Sequence, residues 1–364
     1  MRVLHLLNHT RRLNGHVHAA VDLACAQVAA GHAVAMASEG GDFDALLDRH
    51  AVTRAVVGHE RRPLALARSL RQLRRFIRDW RPDVVHAHMM TSAVLAWPVC
   101  KLAGIPLITT VHNAFEKSAV LMGLGTRVIA VSAAVARSMA ERGIPRRKLD
   151  VVLNGTIGSA RFERRGTQPR ALGHPSILFV GGLHPRKGLP DLLQAFDRLH
   201  ARFPDARLHV VGGGPDLEAY RDLAGSLYSA AAVIFTGPQD DPYPWMLGAD
   251  IFVLPSLADP APLVLPEARE AGCAIIATAV DGIPELLEQG SAGLLVPAQA
   301  PDQLLEAMAS LLEAPERLAE WRANSQIRIG FLTIQRVAEE TQRVYEAAIG
   351  RRRPEPVEAA PVRP

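Results

Sequence analysis

The chain has 364 residues, of which 48% are hydrophobic and 21% charged, a composition that excludes a disordered or low-complexity protein and a length that calls for two domains rather than one core. Its three cysteines, Cys25, Cys100 and Cys273, are far apart and lack metal-type spacing, so they read as reduced core thiols of a cytoplasmic protein. The net charge of +4 and isoelectric point near 9.2 suit phosphates, nucleic acid or an acidic membrane surface without choosing among them.

The N-terminal stretch "MRVLHLLNHTRRLNG" turns basic after a few apolar residues, too few for a signal peptide. Short runs rich in Val, Ile and Leu then recur between helical patterns: "VLHLL", "HAVAMAS", "DVVHAH", "LITTVH", "VIAVS" and "DVVLN" in the first half. The second half repeats the rhythm with "ILFVGG", "LHVVGG", "VIFTG", "IFVLPS", "AIIATAV" and "GLLVP". Fully apolar strands alternating with helices predict parallel sheets covered on both faces, hence two Rossmann-like doubly wound α/β domains of about six strands each. The expected boundaries are an N-terminal domain over 1–160, a linker over 161–176 and a C-terminal domain over 177–330. A helix over 331–349 would pack back on the N-terminal domain, and the Pro-rich charged tail 350–364 would be disordered. The tract "MMTSAVLAWPVCKLAGIPLITTV" is cut by Pro98, Lys101 and Pro106 and does not qualify as a membrane span.

In open parallel sheets ligands bind beyond the carboxyl ends of the strands, so the residues that follow each run matter most. After the first run, Gly15 opens a helix where backbone N–H groups would approach a phosphate, although these residues alone favour an ordinary strand-to-helix turn. Asp42 and Asp44 in "GDFDALL" have the spacing of a metal-binding acid pair, but Asp44 is more simply a helix-start residue. "VHAHMM" and "TTVHNAF" put His86, His88 and His112 at two strand ends; such histidines are commonly buried and satisfied by backbone, and further zinc ligands at suitable spacing are lacking.

In the second half, "FVGGLHPRKGLPDLLQAF" lacks Walker A spacing, yet Arg186 and Lys187 beside Gly188 would suit a diphosphate. "HVVGGGPDLEAY" fails the dinucleotide fingerprint for want of a third glycine, and its Asp216 reads as a helix N-cap. In "SLADPAPLVLPEAREAGCAI" a helix starting near Leu263 would turn the N–H groups of Leu263 and Val264 toward an anion, with Pro266 tolerated in its first turn. Asp259 before this helix and Glu267 within it would accept from two polyols, such as the two ends of a nucleotide sugar. One further segment, the basic helix 61–81, carries Leu66, Leu70, Leu73, Ile77 and Trp80 at helical spacing. It reads as a core-packed helix with a solvated basic face that would also hold the protein against anionic lipid.

From Met1 to about residue 348 these segments, in order, resemble glycosyltransferase family 4, retaining enzymes of the GT-B fold, whose two Rossmann-like domains face a central cleft. The resemblance rests on "DVVHAH", "TTVHN", "VIAVS", "VVLNG", "FVGGLHPRKG", "VVGGGP", "VIFTG", "FVLPS", the acid pair and "DGIPELLEQGSAGLLVP". It implies that Gly15 approaches the donor phosphate and that His112 contacts the transferred sugar. It further implies that Lys187 neutralises the leaving diphosphate, that Asp259 binds the donor sugar and that Glu267 binds the ribose. Three departures from the pattern stand out. Asn14 replaces the first Gly of a Gly-Gly pair, Gly182 replaces an Arg that Arg186 would stand in for, and Asp259 followed by Ala261-Pro262 replaces Glu and Phe-Gly.

The expected protein is a cytoplasmic glycosyltransferase, peripheral on the membrane's inner face, with no cofactor, no metal and no nucleic-acid partner. It would move a sugar from a nucleotide-diphosphate sugar, UDP before GDP, to a glycan or lipid-linked acceptor in cell-surface polysaccharide or glycolipid synthesis. The alternatives are a non-catalytic nucleotide-sugar-binding protein and a sugar-nucleotide epimerase on the same fold.

Overall fold

The computed structural model describes residues 1–12, 14–58, 63–162 and 166–350. Arg61, Arg62, part of the expected linker and the tail 351–364 lie outside the described residues. The chain forms two compact units. The first comprises Met1–Ala130, Ser138–Val152 and the chain from Val337 on; the second comprises Val131–Arg137 and Leu153–Arg336.

The first unit is built on β1 (Arg2–Leu6), β2 (Ala33–Ser38), β3 (Thr53–Val56), β4 (Val84–Ala87), β5 (Leu107–Val111), β6 (Arg127–Ala130) and β7 (Leu149–Val151). They pair in parallel in the order β3-β2-β1-β4-β5-β6-β7. This is one strand more than the six expected. The extra one, β3, is the edge strand "TRAV", whose polar residues and 75% exposed Val56 hide it from a search for apolar runs. Val3, Val84, Ile108 and Ile129 from the central strands pack against Val344, Tyr345 and Ala348 of the helix Ile334–Gly350.

The second unit contains β8 (Ser176–Val180), β9 (Arg207–Val211), β10 (Val233–Gly237), β11 (Ile251–Leu254), β12 (Ala274–Thr278) and β13 (Leu294–Val296). Their order is β10-β9-β8-β11-β12-β13, again all parallel. The apolar residues of the helix Leu189–Arg202 recur at helical spacing, and Leu192, Leu193, Phe196 and Leu199 are fully buried with Ile177, Phe179, Val210 and Val253. Each sheet reverses its winding once, between β1 and β4 in the first and between β8 and β11 in the second. The crevices at those two points are where a doubly wound sheet holds a ligand.

The basic helix Pro63–Trp80 departs from the expected core packing along its length. Leu73 and Ile77 are buried, but Leu64 is 85% and Leu66 39% exposed. The apolar stripe therefore splits, its C-terminal half in the core and its N-terminal half outside. No helix of the described residues is long and apolar enough to cross a membrane.

Candidate active site

In the second unit the strand reversal brings the loops after β8 and β11 side by side. The β8 loop makes a short turn over Pro185–Lys187, and Gly188 closes it with φ +64°. A Cβ on Gly188 would lie 2.0 Å from the Pro255 carbonyl oxygen, so only glycine lets the two loops approach this closely. The Leu257 N–H donates to the Arg186 carbonyl at 2.7 Å and ties them together.

The result places Lys187 Nζ 2.6 Å from Asp259 Oδ2, with 17% and 10% of the two side chains exposed. Ser256 Oγ donates to the same carboxylate oxygen, and the Asp259 N–H donates to Asp281 Oδ2 at 2.7 Å. Sequence reasoning missed both of these contacts of Asp259; Asp281 lies in the loop after β12, inside a segment read only as part of a family pattern. Arg186 is exposed and Gly182 is exposed beside the His184 ring. Burial, then the charges of Arg186 and Lys187, hold His184 below the usual histidine range.

Leu263 takes the N-cap position of the helix Val264–Glu270, a span of seven residues with Pro266 in its first turn. Arg269, fully buried, anchors this helix by donating to the carbonyls of Ser325, Leu286 and Ile327 and to Glu288. Glu267 is buried at 6% exposure, and its Oε1 stands 3.5 Å from Arg161 Nη2. Arg161, which itself stacks 4.5 Å over the Phe162 ring, was not anticipated, because it lies in a segment without periodicity. The second unit thus carries Lys187, Arg186, Asp259, Leu263, Val264 and Glu267, of which Lys187 and Asp259 are in direct contact. Asp216 sits at an N-cap position but makes no side-chain cap bond there, a correction to its expected role.

Gly15 and His112 belong to the first unit. Gly15 is exposed at the start of the helix Gly15–Ala29, with Asn14 as an extended N-cap whose carbonyl accepts from Val17 and His18. Asp44 begins the helix Asp44–Arg49 as expected, and its carboxylate accepts from Thr10 Oγ1, the Gly41 N–H and Arg54. His112 follows β5, half-buried, and its Nε2 lies 3.2 Å from His88 Nδ1. His88 Nε2 in turn lies 2.8 Å from His5 Nδ1.

The register explains this clustering. His5 pairs with His86 across β1 and β4, and the two-residue period of strands turns His86 and His88 to one face. His86, His88 and His5 are all buried, and they bond to one another or to Gln27, Tyr345, Thr110 and His112 rather than to backbone as expected. Their ring nitrogens lie close enough for a metal, within 4.8 Å of one another, yet each ring nitrogen already has a side-chain hydrogen-bond partner. Burial lowers all of these rings, His5 to about 4, His112 to about 3 and His86 and His88 well below the usual range. At neutral pH the site therefore offers uncharged imidazoles.

The family model described as Glycosyltransferase Family 4 matches residues 13–156, and that described as Glycosyl transferases group 1 matches residues 174–314. A phosphatidyl-myo-inositol mannosyltransferase of Mycolicibacterium smegmatis is 29% identical over 295 residues, covering 77% of this chain and 75% of its own. A glycogen synthase of Mycobacterium tuberculosis is 31% identical over 303 residues, covering 77% and 72%. Among solved structures, HepE of Anabaena in complex with UDP-glucose matches with a TM-score of 0.79 at 18% identity, covering 95% of this chain and 99% of that one. The two parallel-sheet units are thus those of the GT-B fold.

Proposed function

The chain belongs to glycosyltransferase family 4 and is a glycosyltransferase of the GT-B type; on that premise we propose that it transfers a sugar from a nucleotide-diphosphate sugar with retention of anomeric configuration. The observation that carries the reading is the pairing of Lys187 with Asp259 at the winding reversal of the second sheet, in the loop that leads to the helix holding the buried Glu267. A cation held on a short carboxylate is a pre-positioned charge: a diphosphate replaces Asp259 as its partner, and Asp259 is released to accept from sugar hydroxyls.

As the bond between sugar and phosphate breaks, negative charge grows on the leaving diphosphate. Lys187, with Arg186 exposed in the same loop, stabilises that charge more in the transition state than in the ground state. Glu267 accepts from the ribose diol. His112, being neutral, serves the transferred sugar as a hydrogen-bonding group and not as a charge. The chemistry assigned to these residues needs no metal or cofactor.

The donor we propose is a UDP-sugar, with a GDP-sugar next; the complex of HepE with UDP-glucose supports it. The acceptor we propose is a glycan or lipid-linked glycan, in keeping with the names of the two relatives. The helix Pro63–Trp80 supports peripheral attachment to the cytoplasmic face of a membrane. Arg68, Arg71, Arg74, Arg75 and Arg78 are exposed along it, and Leu64 and Leu66 are exposed in its first turns. A groove of about 470 Å³ beside it is lined by Val56, Val57, Phe76 and Trp80 together with Arg54, Arg75 and Asp79, its arginines already paired with aspartates.

Thermal stabilisation by nucleoside diphosphates and their sugar conjugates, on wild type and Glu267→Ala, tests the donor site by mass action. A shift with one base, independent of magnesium and lost in the variant, is the expected result. Proton NMR of the product's anomeric signal then reads retention. Binding without transfer to any acceptor would leave a nucleotide-sugar-binding protein, a reading that Gly182, which offers no side chain to the diphosphate, would favour.

A further inference from the structure

Six hydrogen bonds in the first unit join seven side chains in one line. Thr110 Oγ1 meets His86 Nε2 at 2.6 Å, and His86 Nδ1 meets the Tyr345 hydroxyl at 2.6 Å. Gln27 Nε2 donates to that hydroxyl at 3.3 Å, and Gln27 Oε1 meets His5 Nε2 at 2.8 Å. His5 Nδ1 meets His88 Nε2 at 2.8 Å, and His88 Nδ1 meets His112 Nε2 at 3.2 Å. All of the rings but His112 are fully buried, as are Gln27 and Tyr345.

A neutral imidazole has one N–H and one lone pair, and an amide oxygen only accepts. Starting from Gln27 Oε1, His5 must carry its proton on Nε2, so its Nδ1 accepts from His88 Nε2. His88 Nδ1 is then a lone pair and accepts from His112 Nε2. In the other direction the Gln27 N–H fills a lone pair of Tyr345, which donates to His86 Nδ1, and His86 donates from Nε2 to Thr110. Every bond receives one donor with all four rings neutral, which matches the direction in which burial moves them. Rotating the Gln27 amide by half a turn would reverse every bond in the line and put the His112 proton on Nδ1.

We propose that Gln27 is a positioning residue that, through His5 and His88, fixes His112 as the Nε2–H tautomer and so presents His112 Nδ1 as a hydrogen-bond acceptor to a sugar hydroxyl. Nδ1 has no partner among the described residues, and His112 is the one ring of the line that is not fully buried. Tyr345 completes the device from the C-terminal helix by filling the amide's other end. The part of this that concerns the sugar rests on the proposed transferase reading; the tautomer itself does not.

Long-range proton–nitrogen NMR of the full chain labelled with 15N-histidine reads the tautomer directly, with His112→Gln used to assign the signal. The expected wild-type result is a protonated Nε2 and an unprotonated Nδ1 on His112. Gln27→Leu removes the amide and should give a mixture of both tautomers, with kcat down about tenfold and the donor KM little changed. Gln27→Glu keeps an acceptor toward His5 and should restore both the Nε2–H tautomer and turnover. An Nδ1–H signal on wild-type His112 overturns the proposal without any variant, so a Gln27→Leu protein that fails to fold does not protect it. An unchanged single tautomer in folded Gln27→Leu overturns it equally. If the tautomers behave as expected and no donor is turned over, the transferase reading fails and the relay stands.

Discussion

Lys187 Nζ and Asp259 Oδ2 meet at 2.6 Å across the ends of β8 and β11, although 72 residues separate them in the chain. The pair implies that the two residues respond differently to substitution. Lys187→Ala removes the charge that a diphosphate would meet, and affinity for UDP alone should fall by roughly 10–100-fold, the value of a hydrogen bond to a charged group. Asp259→Asn frees Lys187 from its competitor, so UDP affinity should hold or rise while turnover of the UDP-sugar is lost. Calorimetric titration with UDP distinguishes the two, and an equal loss in both variants would contradict the assignment of Asp259 to the sugar.

The closeness of the two loops depends on Gly188. With φ +64° and the Pro255 carbonyl 2.0 Å from where a Cβ would sit, Gly188→Ala must push the β11 loop away from the β8 turn. Stability should drop by about 3 kcal/mol, the upper part of the usual range for a strained backbone position. UDP affinity should fall with it, because Lys187 and Asp259 no longer share one crevice. A variant with full stability in urea unfolding would show that the loop yields without strain.

The buried histidines set a pH dependence whose sign follows from their lowered values. Unfolded histidine takes up a proton near pH 6.5, while folded His5 resists until about 4 and folded His112 until about 3. Between those limits the unfolded chain binds more protons, so stability rises with pH. The stability is fully present above pH 6.5 and is lost as the pH falls toward 4. His5 alone accounts for about 3 kcal/mol across that window. Urea unfolding from pH 7.5 to 4.5 should show a falling midpoint, with a shallower fall in a folded His5→Gln variant. A midpoint independent of pH would mean that the rings protonate in the folded state.

The alternation of apolar runs with helices was enough to read two parallel α/β units, because strands buried on both faces leave no polar phase to confuse. The strands β8, β11 and β12 of the second sheet, buried at every position, stood out for that reason, and the edge strand β10 stood out by its apolar residues although it is not buried. The exposed edge strand β3 did not, since an edge strand has only one neighbour and tolerates Thr and Arg. Lys187 and Glu267 were legible because they follow strands and carry the family's spacing. Arg161 and Asp281 were not, since a partner chosen by three-dimensional approach leaves no periodicity. The histidine line falls between. The His86/His88 and Thr110/His112 spacings announce one strand face, but Gln27 and Tyr345, 318 residues apart, meet only after the sheet has formed and the last helix has packed on it.

The helix Pro63–Trp80 carries the remaining prediction. Its C-terminal half is anchored by Leu73 and Ile77, so changes to its outer face should leave the fold intact within about 0.5 kcal/mol. Exposed Arg68, Arg71 and Arg74 each add about 1 kcal/mol of attraction to an anionic surface, which together is roughly a hundredfold in partitioning. The triple change to Gln should therefore abolish co-sedimentation with vesicles containing anionic lipid, and raised salt should weaken wild-type binding in the same way. Leu64, 85% exposed, has no core to serve, so Leu64→Ser should weaken binding at any salt concentration by losing insertion into the interface. Transfer to a water-soluble acceptor should be untouched in both variants, since none of the changed residues belongs to the candidate site. Equal wild-type binding to neutral and anionic vesicles would refute the electrostatic half of this argument, and an unaffected Leu64→Ser variant the hydrophobic half.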